Sequence, residues 1–254
     1  MLVAVGTVEA IFRFPVKSMA GERLGTGTLG WHGLDGDRRF AFRLMDNRSA
    51  FPWLTASKLP ELLLFTPQPC EDSAEEDLPT HVRTPDGKLM PIFGEDLAKE
   101  VGQRHGAPVE MMQLKNGVFD DASISVIATD TVREIGRLAG HGADVRRFRP
   151  NIVVRLLRAT PFQEEEWLGG ELFFGKAADP PAIAITRRDV RCSMVNLDPD
   201  TAKAAPEVLK AVIGANQNNA GVYGSVIRIG QLCVGQTVFW QHGGRKERNG
   251  QIGS

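Results

Sequence analysis

The fold is indicated first by the stretch VEAIFRFPVKS, residues 8–18, in which apolar side chains stand at positions 8, 10, 12 and 14. Alternation with a period of two predicts a half-buried β-strand. Pro15 ends that strand, and Lys17 and Ser18 follow it directly. A cation and a hydroxyl at a strand end can hold a phosphate or a carboxylate, although a surface lysine at a turn is the simpler interpretation of this stretch alone.

The rest of the chain continues this strand-rich pattern. Further strands are predicted over residues 39–44, 125–127, 151–157, 181–186, 226–229, 231–234 and 237–240, and helices over 93–105, 129–139 and 205–213. Another helix is predicted between Thr160 and Gly169, because TPFQ at 160–163 supplies a capping hydroxyl, a proline and a return glutamine. Glu164, Glu165 and Glu166 are then interpreted as its exposed first turns. Short strands with glycine turns predict an α+β fold that is mainly β, with a barrel or a sandwich.

Composition excludes several classes of function. The 254 residues carry a formal net charge of -1, so there is no long-range field to capture nucleic acid, and no nucleic-acid partner is expected. No apolar run approaches the ~20 residues of a membrane span, and the N-terminus has no basic segment before its apolar stretch, so we expect a cytoplasmic protein without a membrane partner. Cys70, Cys192 and Cys233 are far apart and odd in number, which argues against zinc, iron–sulfur and disulfide frameworks.

Cys192 is the cysteine whose surroundings indicate chemistry. It ends the strand-like run IAITRRDVRC, with Arg187, Arg188 and Arg191 just before it. A nearby cation favours the thiolate form of a cysteine. Cys192 is therefore the best candidate for a nucleophile or a soft metal ligand, and a buried, inert cysteine is the alternative.

Two other segments are rich in arginine. In GLDGDRRF, residues 33–40, Asp37 can hold Arg38 in a fixed orientation suited to anion recognition, although a plain surface pair is an equally good interpretation. In RRFRPN, residues 146–151, three guanidinium groups lie within four residues, which is costly unless acids or an anion compensate them. A solvated basic face is the alternative for the second segment.

Taken in order, these segments resemble the MOSC domain proteins, named for the C-terminal domain of molybdenum cofactor sulfurase, with the β-barrel domain that commonly precedes it. The resemblance lies in FPVKS at 14–18, GLDGDR at 33–38, RFRPNI at 147–152, PFQEEEW at 161–167, Arg191-Cys192 with Asp198-Pro199, and GQLCVG at 230–235. It spans roughly residues 5–240. The division it implies is an N-terminal β-barrel domain over 1–110, a MOSC domain over 115–240 and a flexible polar tail over 241–254.

The resemblance implies an enzyme similar to the amidoxime-reducing proteins, which reduce N-hydroxylated compounds on a molybdenum cofactor (molybdopterin). The matching cysteine is a molybdenum ligand there, so Cys192 takes that role as catalytic and metal-binding residue. Lys17, Ser18 and Arg38 match residues that contact the pterin or its phosphate. The remaining cofactor-binding positions implied by the resemblance are Thr129, Arg149 and Asn151. Thiolate, cation and hydroxyl groups suit such a cofactor chemically.

Partners and rival functions follow from the same resemblance. A small-molecule substrate is expected, and electrons must come from a separate donor protein with a flavin or an iron–sulfur cluster, because the chain has neither a ferredoxin-like extension nor a dinucleotide motif. Met19 stands where many relatives have cysteine, which puts a second thiol function in doubt. The rivals are sulfur transfer through a Cys192 persulfide and a non-catalytic cofactor carrier. Pyridoxal phosphate belongs to a different domain of the sulfurase, and these 254 residues have no room for it.

Overall fold

The structure is a computed structural model, described for residues 1–69, 78–119 and 121–243. Cys70 and most of the acidic segment around it, as well as the tail from residue 244, lie outside the described residues. The strands are β1 (Val3–Arg13), β2 (Glu22–Leu24), β3 (Thr26–Gly30), β4 (Gly33–Leu34), β5 (Phe40–Leu44), β6 (Thr66–Gln68), β7 (His81–Arg83), β8 (Leu89–Pro91), β9 (Val109–Gln113), β10 (Ile124–Ala128), β11 (Ile152–Leu156), β12 (Glu171–Phe174), β13 (Ala182–Val190), β14 (Asn219–Arg228), β15 (Gly230–Cys233) and β16 (Thr237–Gln241). The α-helices are α1 (Glu95–His105), α2 (Thr129–Ala139) and α3 (Glu207–Asn216), and 3-10 helices span Pro60–Leu64, Val145–Phe148, Gln163–Trp167 and Ser193–Asn196.

Seven strands close into a barrel in the order β1, β11, β10, β14, β13, β12 and β16, with β16 returning to β1. Closure leaves no free edge among these strands. The interior is filled by aliphatic and aromatic side chains such as Ile11, Val126 and Trp167, each of which is almost fully buried. The mainly β, α+β fold predicted from the sequence is therefore confirmed.

The first strand joins the two ends of the chain. Its N-terminal half pairs with β16, as Val3 does with Trp240, while residues Gly6 to Ile11 pair with β11 on the other side. Strand β1 therefore belongs to the same barrel as strands from the C-terminal half. The division of the chain at residues 110–115 stays a prediction.

A second core lies in the N-terminal half. Strands β5 and β9 form an antiparallel pair, and β6, β7 and β8 form a three-stranded sheet. Phe40, Phe42 and Phe65 are buried there against Leu97 and Val101 of α1. The chain passes from the barrel into this core near Phe14 to Met19, and the site described below lies at that junction.

The predicted helix over 129–139 is confirmed by α2, which ends at Gly140 in the left-handed conformation. The helix predicted from Thr160 is corrected: only a 3-10 helix forms, over Gln163–Trp167, and no side chain caps it. Phe162 precedes it at φ 62°, which breaks the helical path, and its backbone N–H donates to Thr131 Oγ1 at 2.7 Å instead. No helix in the described part of the chain is long and apolar enough to span a membrane.

The glutamate run of that segment is exposed as predicted at Glu166, but the prediction is wrong for Glu164. Glu164 is fully buried rather than exposed, and it accepts hydrogen bonds from Thr131 Oγ1 at 2.8 Å and the Ala128 N–H at 3.3 Å. Glu165 pairs with Arg188 at 2.9 Å. These carboxylates hold the 3-10 helix to the barrel and to the first turn of α2.

Candidate functional site

A cleft of about 300 Å³ opens where the N-terminal half meets the barrel. Residues from both halves line it. From the N-terminal half come Lys17, Ser18, Arg38, Thr55 and Ser57, and from the other half Asp121, Ser125, Arg147, Phe148, Arg149, Asp189, Val190, Arg191, Cys192, Met194, Val195 and Tyr223. Five of the residues predicted from the sequence, Lys17, Ser18, Arg38, Arg149 and Cys192, therefore line one cavity. Thr55, Ser57, Asp121, Asp189 and Tyr223 were not predicted, because nothing in their local sequence distinguishes them.

Lys17 and Ser18 enter the cleft from the turn after β1. The Lys17 N–H donates to the Phe40 carbonyl at 2.8 Å, which anchors the turn to β5. The Lys17 ammonium lies 5.3 Å from the centre of the Phe51 ring, and Ser18 adopts φ 66°. The left-handed conformation of a non-glycine residue is uncommon, and here it turns the chain at the cleft wall. Both residues are more than nine-tenths buried, so the cation and the hydroxyl are fixed in place.

Asp37 orients Arg38, as the sequence predicted. The two side chains form an ion pair, and Asp37 is 1% exposed and also accepts from the Phe14 N–H at 2.7 Å. The Arg38 guanidinium donates to the Arg149 carbonyl at 3.1 Å and lies 5.2 Å from the Phe14 ring. Arg38 is therefore held from three sides at the cleft wall.

Arg149 approaches the same aromatic ring from the barrel side. Its guanidinium is 4.1 Å from the centre of Phe14 and donates to the Met19 carbonyl at 2.7 Å. Its backbone is left-handed, at φ 48°, after the 3-10 helix Val145–Phe148. Arg38 and Arg149 together bring a pair of cations to one wall of the cleft.

The other two arginines of the RRFRPN segment are compensated by acids, one of them two residues before Arg146 and two of them about 50 residues further along the chain. Arg146 pairs with Asp144 at 2.7 Å and Asp200 at 2.6 Å, and Arg147 pairs with Asp198 at 2.8 Å. The alternative of a solvated basic face is thus wrong for Arg147, which is 8% exposed. The Nε of Arg147 is buried without a hydrogen-bond partner in the described residues.

Cys192 lies just beyond β13, exposed to the cleft, at the start of the 3-10 helix Ser193–Asn196. The arginines before it do not form the free cationic cluster that the sequence suggested. Arg187 pairs with Asp121 at 3.0 Å, Arg188 pairs with Glu165, and Arg191 pairs with Asp189 at 2.7 Å. The position of the thiol on the cleft, and not the charge of its neighbours, is what distinguishes Cys192.

Arg191 and Asp189 form a buried connection beneath Cys192. The Arg191 guanidinium donates to the Ala220 carbonyl at 2.7 Å and to the Phe148 carbonyl at 2.8 Å. Asp189 also accepts from Ser125 Oγ at 2.8 Å. Burial raises the pKa of the Asp189 carboxyl, while Arg191, Ser125 and Tyr223 oppose that rise. These bonds tie the segment before Arg149 to the segment before Cys192.

Two predicted site residues lie away from the cleft lining. Thr129, at the start of α2, lines a different cavity of about 380 Å³ with Val132 and Val153. Asn151 is 1% exposed, and its side chain accepts from the Ser125 N–H at 3.1 Å and donates to the Phe12 carbonyl at 3.4 Å. In this structure Asn151 joins two barrel strands to the segment that carries Arg149, and direct contact with a cofactor stays a prediction for both residues.

Comparison with known proteins identifies the two parts of the chain. A family model described as the MOSC domain matches residues 102–239, and one described as the MOSC N-terminal beta barrel domain matches residues 5–123. The crystal structure of the YuaD protein from Bacillus subtilis is similar, at 13% identity and a TM-score of 0.51, over 94% of this chain and 97% of that chain. YiiM from Geobacillus stearothermophilus matches at 14% identity and a TM-score of 0.37, over 47% of this chain and 54% of that chain. No curated protein matches the chain. At such identities, the first likeness shows the fold alone.

Proposed function

Because the chain belongs to the MOSC domain family, which is associated with molybdenum cofactor binding, we propose that the cleft binds this cofactor and that the protein reduces small N-oxygenated substrates. The observation that carries the proposal is the convergence of Lys17, Ser18, Arg38, Arg149 and Cys192 on one cavity. Lys17, Ser18 and Arg38 lie more than 100 positions before Arg149 and Cys192, so the meeting of the two groups is not a consequence of sequence proximity.

The residues present fit the group chemically. Cys192 offers an exposed soft sulfur ligand, and thiolates suit redox metals. Lys17, Arg38 and Arg149 provide cations for a phosphate, and the buried Nε of Arg147 is a donor that has no acceptor in the described residues. The cavity volume of about 300 Å³ lies at the lower end of the range for small-molecule sites.

The proposed reaction cleaves the N–O bond of a hydroxylamine or amidoxime. Two electrons and two protons are consumed, and the products are the N–H compound and water. The cofactor supplies the two-electron step at its metal when bound. The protein holds the metal through Cys192, neutralises the phosphate through Lys17, Arg38 and Arg149, and fixes the Cys192 segment through the Arg191–Asp189 pair.

The proposal also needs a source of electrons. Cys192 and Cys233 are free and lie in different elements, and the sequence carries no dinucleotide-binding motif. The proposal therefore includes a separate donor with a flavin or an iron–sulfur cluster, in the cytoplasmic location predicted from the sequence.

The test is a reductase assay on protein purified from cells that make the cofactor. We expect turnover of benzamidoxime with a reduced viologen as artificial donor, and none with NADH or NADPH alone. Molybdenum without viologen-driven turnover would instead support the carrier function. Sulfane sulfur on Cys192 without molybdenum would support sulfur transfer, which the exposure of that thiol also permits.

A further inference from the structure

A second basic cavity lies on the other side of the segment that carries Arg38. We call it the basic recess; Arg13, Arg23, Asp35, Arg39 and the glycine-rich residues 25–27 line it, and its volume is about 690 Å³. Three guanidinium groups therefore face one cavity, with Asp35 as the acidic residue among its described lining residues. The recess is larger than the cleft and shares no lining residue with it.

Two of the three arginines are anchored through Nε, which leaves the terminal nitrogens of their guanidinium groups available. Arg13 uses its Nε for Glu22, at 2.7 Å, and Arg39 uses its Nε for the Leu114 carbonyl, also at 2.7 Å. A guanidinium bound through Nε keeps the four N–H donors of its terminal nitrogens. In the part of the chain that the structure describes, no hydrogen bond is made by the terminal nitrogens of either residue.

Gly36 shows that the backbone is shaped to seat Arg13. It adopts φ +81°, and a Cβ added there would lie 3.1 Å from both Cδ and Nη1 of Arg13. Any larger residue would be strained at this φ and would push against the guanidinium. Glycine at position 36 therefore avoids backbone strain and crowding beside the Arg13 side chain.

Consecutive side chains separate the recess from the cleft. Arg38 lines the cleft while the next residue, Arg39, lines the recess, and Asp37, which pairs with Arg38, is buried. An anion in the recess would thus be held independently of the cofactor phosphate.

We propose that the basic recess binds a diphosphate group, either free or esterified in a nucleoside diphosphate. Guanidinium forks match phosphate oxygens in bidentate geometry, and three of them around one cavity match a ligand with more than one phosphate. Glu22 pairs with Arg13 and Asp35 lines the recess, so two acids offset part of this charge, and the preference for a diphosphate comes from the donor geometry of the three guanidinium groups. The proposal does not depend on molybdenum cofactor chemistry in the cleft.

The experiment is isothermal titration calorimetry of the full-length, cofactor-loaded protein with pyrophosphate, with ADP and with orthophosphate. We expect pyrophosphate or ADP to bind with one site per chain and orthophosphate to bind more weakly. Arg39→Ala should weaken pyrophosphate binding by at least about tenfold, since it removes charge-assisted hydrogen bonds. Arg39→Lys should restore only part of the loss, because lysine keeps the charge without the fork.

Matched variants separate the recess from the cleft. Arg43→Ala is a control that removes an exposed arginine from β5, the strand that begins directly after Arg39, and Lys17→Ala weakens the cleft. Neither should change pyrophosphate binding in the recess. Arg23 is exposed, so Arg23→Ala gives a second recess variant if Arg39→Ala does not fold. Binding that is abolished by Lys17→Ala but unchanged by Arg39→Ala or Arg23→Ala would overturn the proposal, as would wild-type protein that binds no pyrophosphate.

Discussion

Replacing Arg191 with methionine removes a guanidinium that connects three segments around the cleft. Arg191 donates to the carbonyls of Ala220 and Phe148 and pairs with Asp189, whose side chain is 1% exposed. Methionine has a similar length and keeps much of the packing, but it cannot donate. The substitution therefore leaves Asp189 as a buried charge without its cation.

The expected cost follows from burial. Breaking a buried pair by removing one partner costs about 3–5 kcal/mol. For a chain of this size, about 2–4 °C of melting temperature is lost per kcal/mol, so the melting temperature should fall by roughly 6–20 °C. In the double variant Asp189→Asn/Arg191→Met, position 189 carries a neutral amide instead of an unpaired carboxylate. Its destabilisation should be smaller than the sum of the single variants by about 1–3 kcal/mol.

Urea unfolding followed by circular dichroism measures these differences. Arg187→Met is the matched control, because Arg187 is exposed and its pair with Asp121 is solvated. That control should lose no more than about 1 kcal/mol. A loss below 1 kcal/mol in Arg191→Met, or strict additivity with Asp189→Asn, would refute the interpretation of this pair as a buried structural connection.

Two further predictions concern stability. Gly221→Ala should destabilise the protein by about 2 kcal/mol or more, because residue 221 has φ +86° and a Cβ there would lie 2.7 Å from the Val126 carbonyl oxygen. The control is Gly214→Ala, since residue 214 lies in an exposed part of α3 with open space around it. In the same urea assay this control should be neutral or stabilising by up to about 1 kcal/mol. Burial raises the pKa of Glu164 above its ordinary 4.5, so the folded state binds more protons than the unfolded state above that pH and stability falls as the pH rises through the raised pKa. Glu164→Gln should remove that slope from melting temperatures measured between pH 4 and 8, and an unchanged slope would contradict it.

Local patterns in the sequence predicted local structure well. The apolar spacing of residues 129–139 and the glycine after them predicted α2 to the residue, because capping and periodicity act within a few positions. Asp37 and Arg38 are neighbours in the chain, so their ion pair was also predictable. The first strand was predicted from Val8 to Phe14, but it begins five residues earlier, at Val3, and its partners were not predictable.

Partners distant in the chain account for what the sequence did not reveal. Glu164 is buried because Thr131, 33 positions earlier, donates to it, and nothing near Glu164 indicates that partner. Asp200 and Asp198, which pair with Arg146 and Arg147, lie more than 50 positions away, whereas Asp144, the other partner of Arg146, is only two positions away. Asp189 became visible as a cleft residue only when β13, β14 and β10 were placed side by side.

The family resemblance predicted which distant residues belong to one site better than composition did. Charge and spacing alone left Lys17 and Arg38 as surface residues in their simplest interpretation, and only the family pattern related them to Cys192. The structure places all three on one cavity. Thr129, which the same resemblance implied, lines another cavity, and its contact with a cofactor stays a prediction.

The most direct test of the cofactor proposal is molybdenum K-edge X-ray absorption on protein from cells that make the cofactor. The account predicts that Cys192→Ser lowers the number of sulfur neighbours of molybdenum by one, or loses the metal, while Cys233→Ser keeps both the metal content and the sulfur count of the wild type. Identical molybdenum content and sulfur coordination in wild type and Cys192→Ser would contradict it.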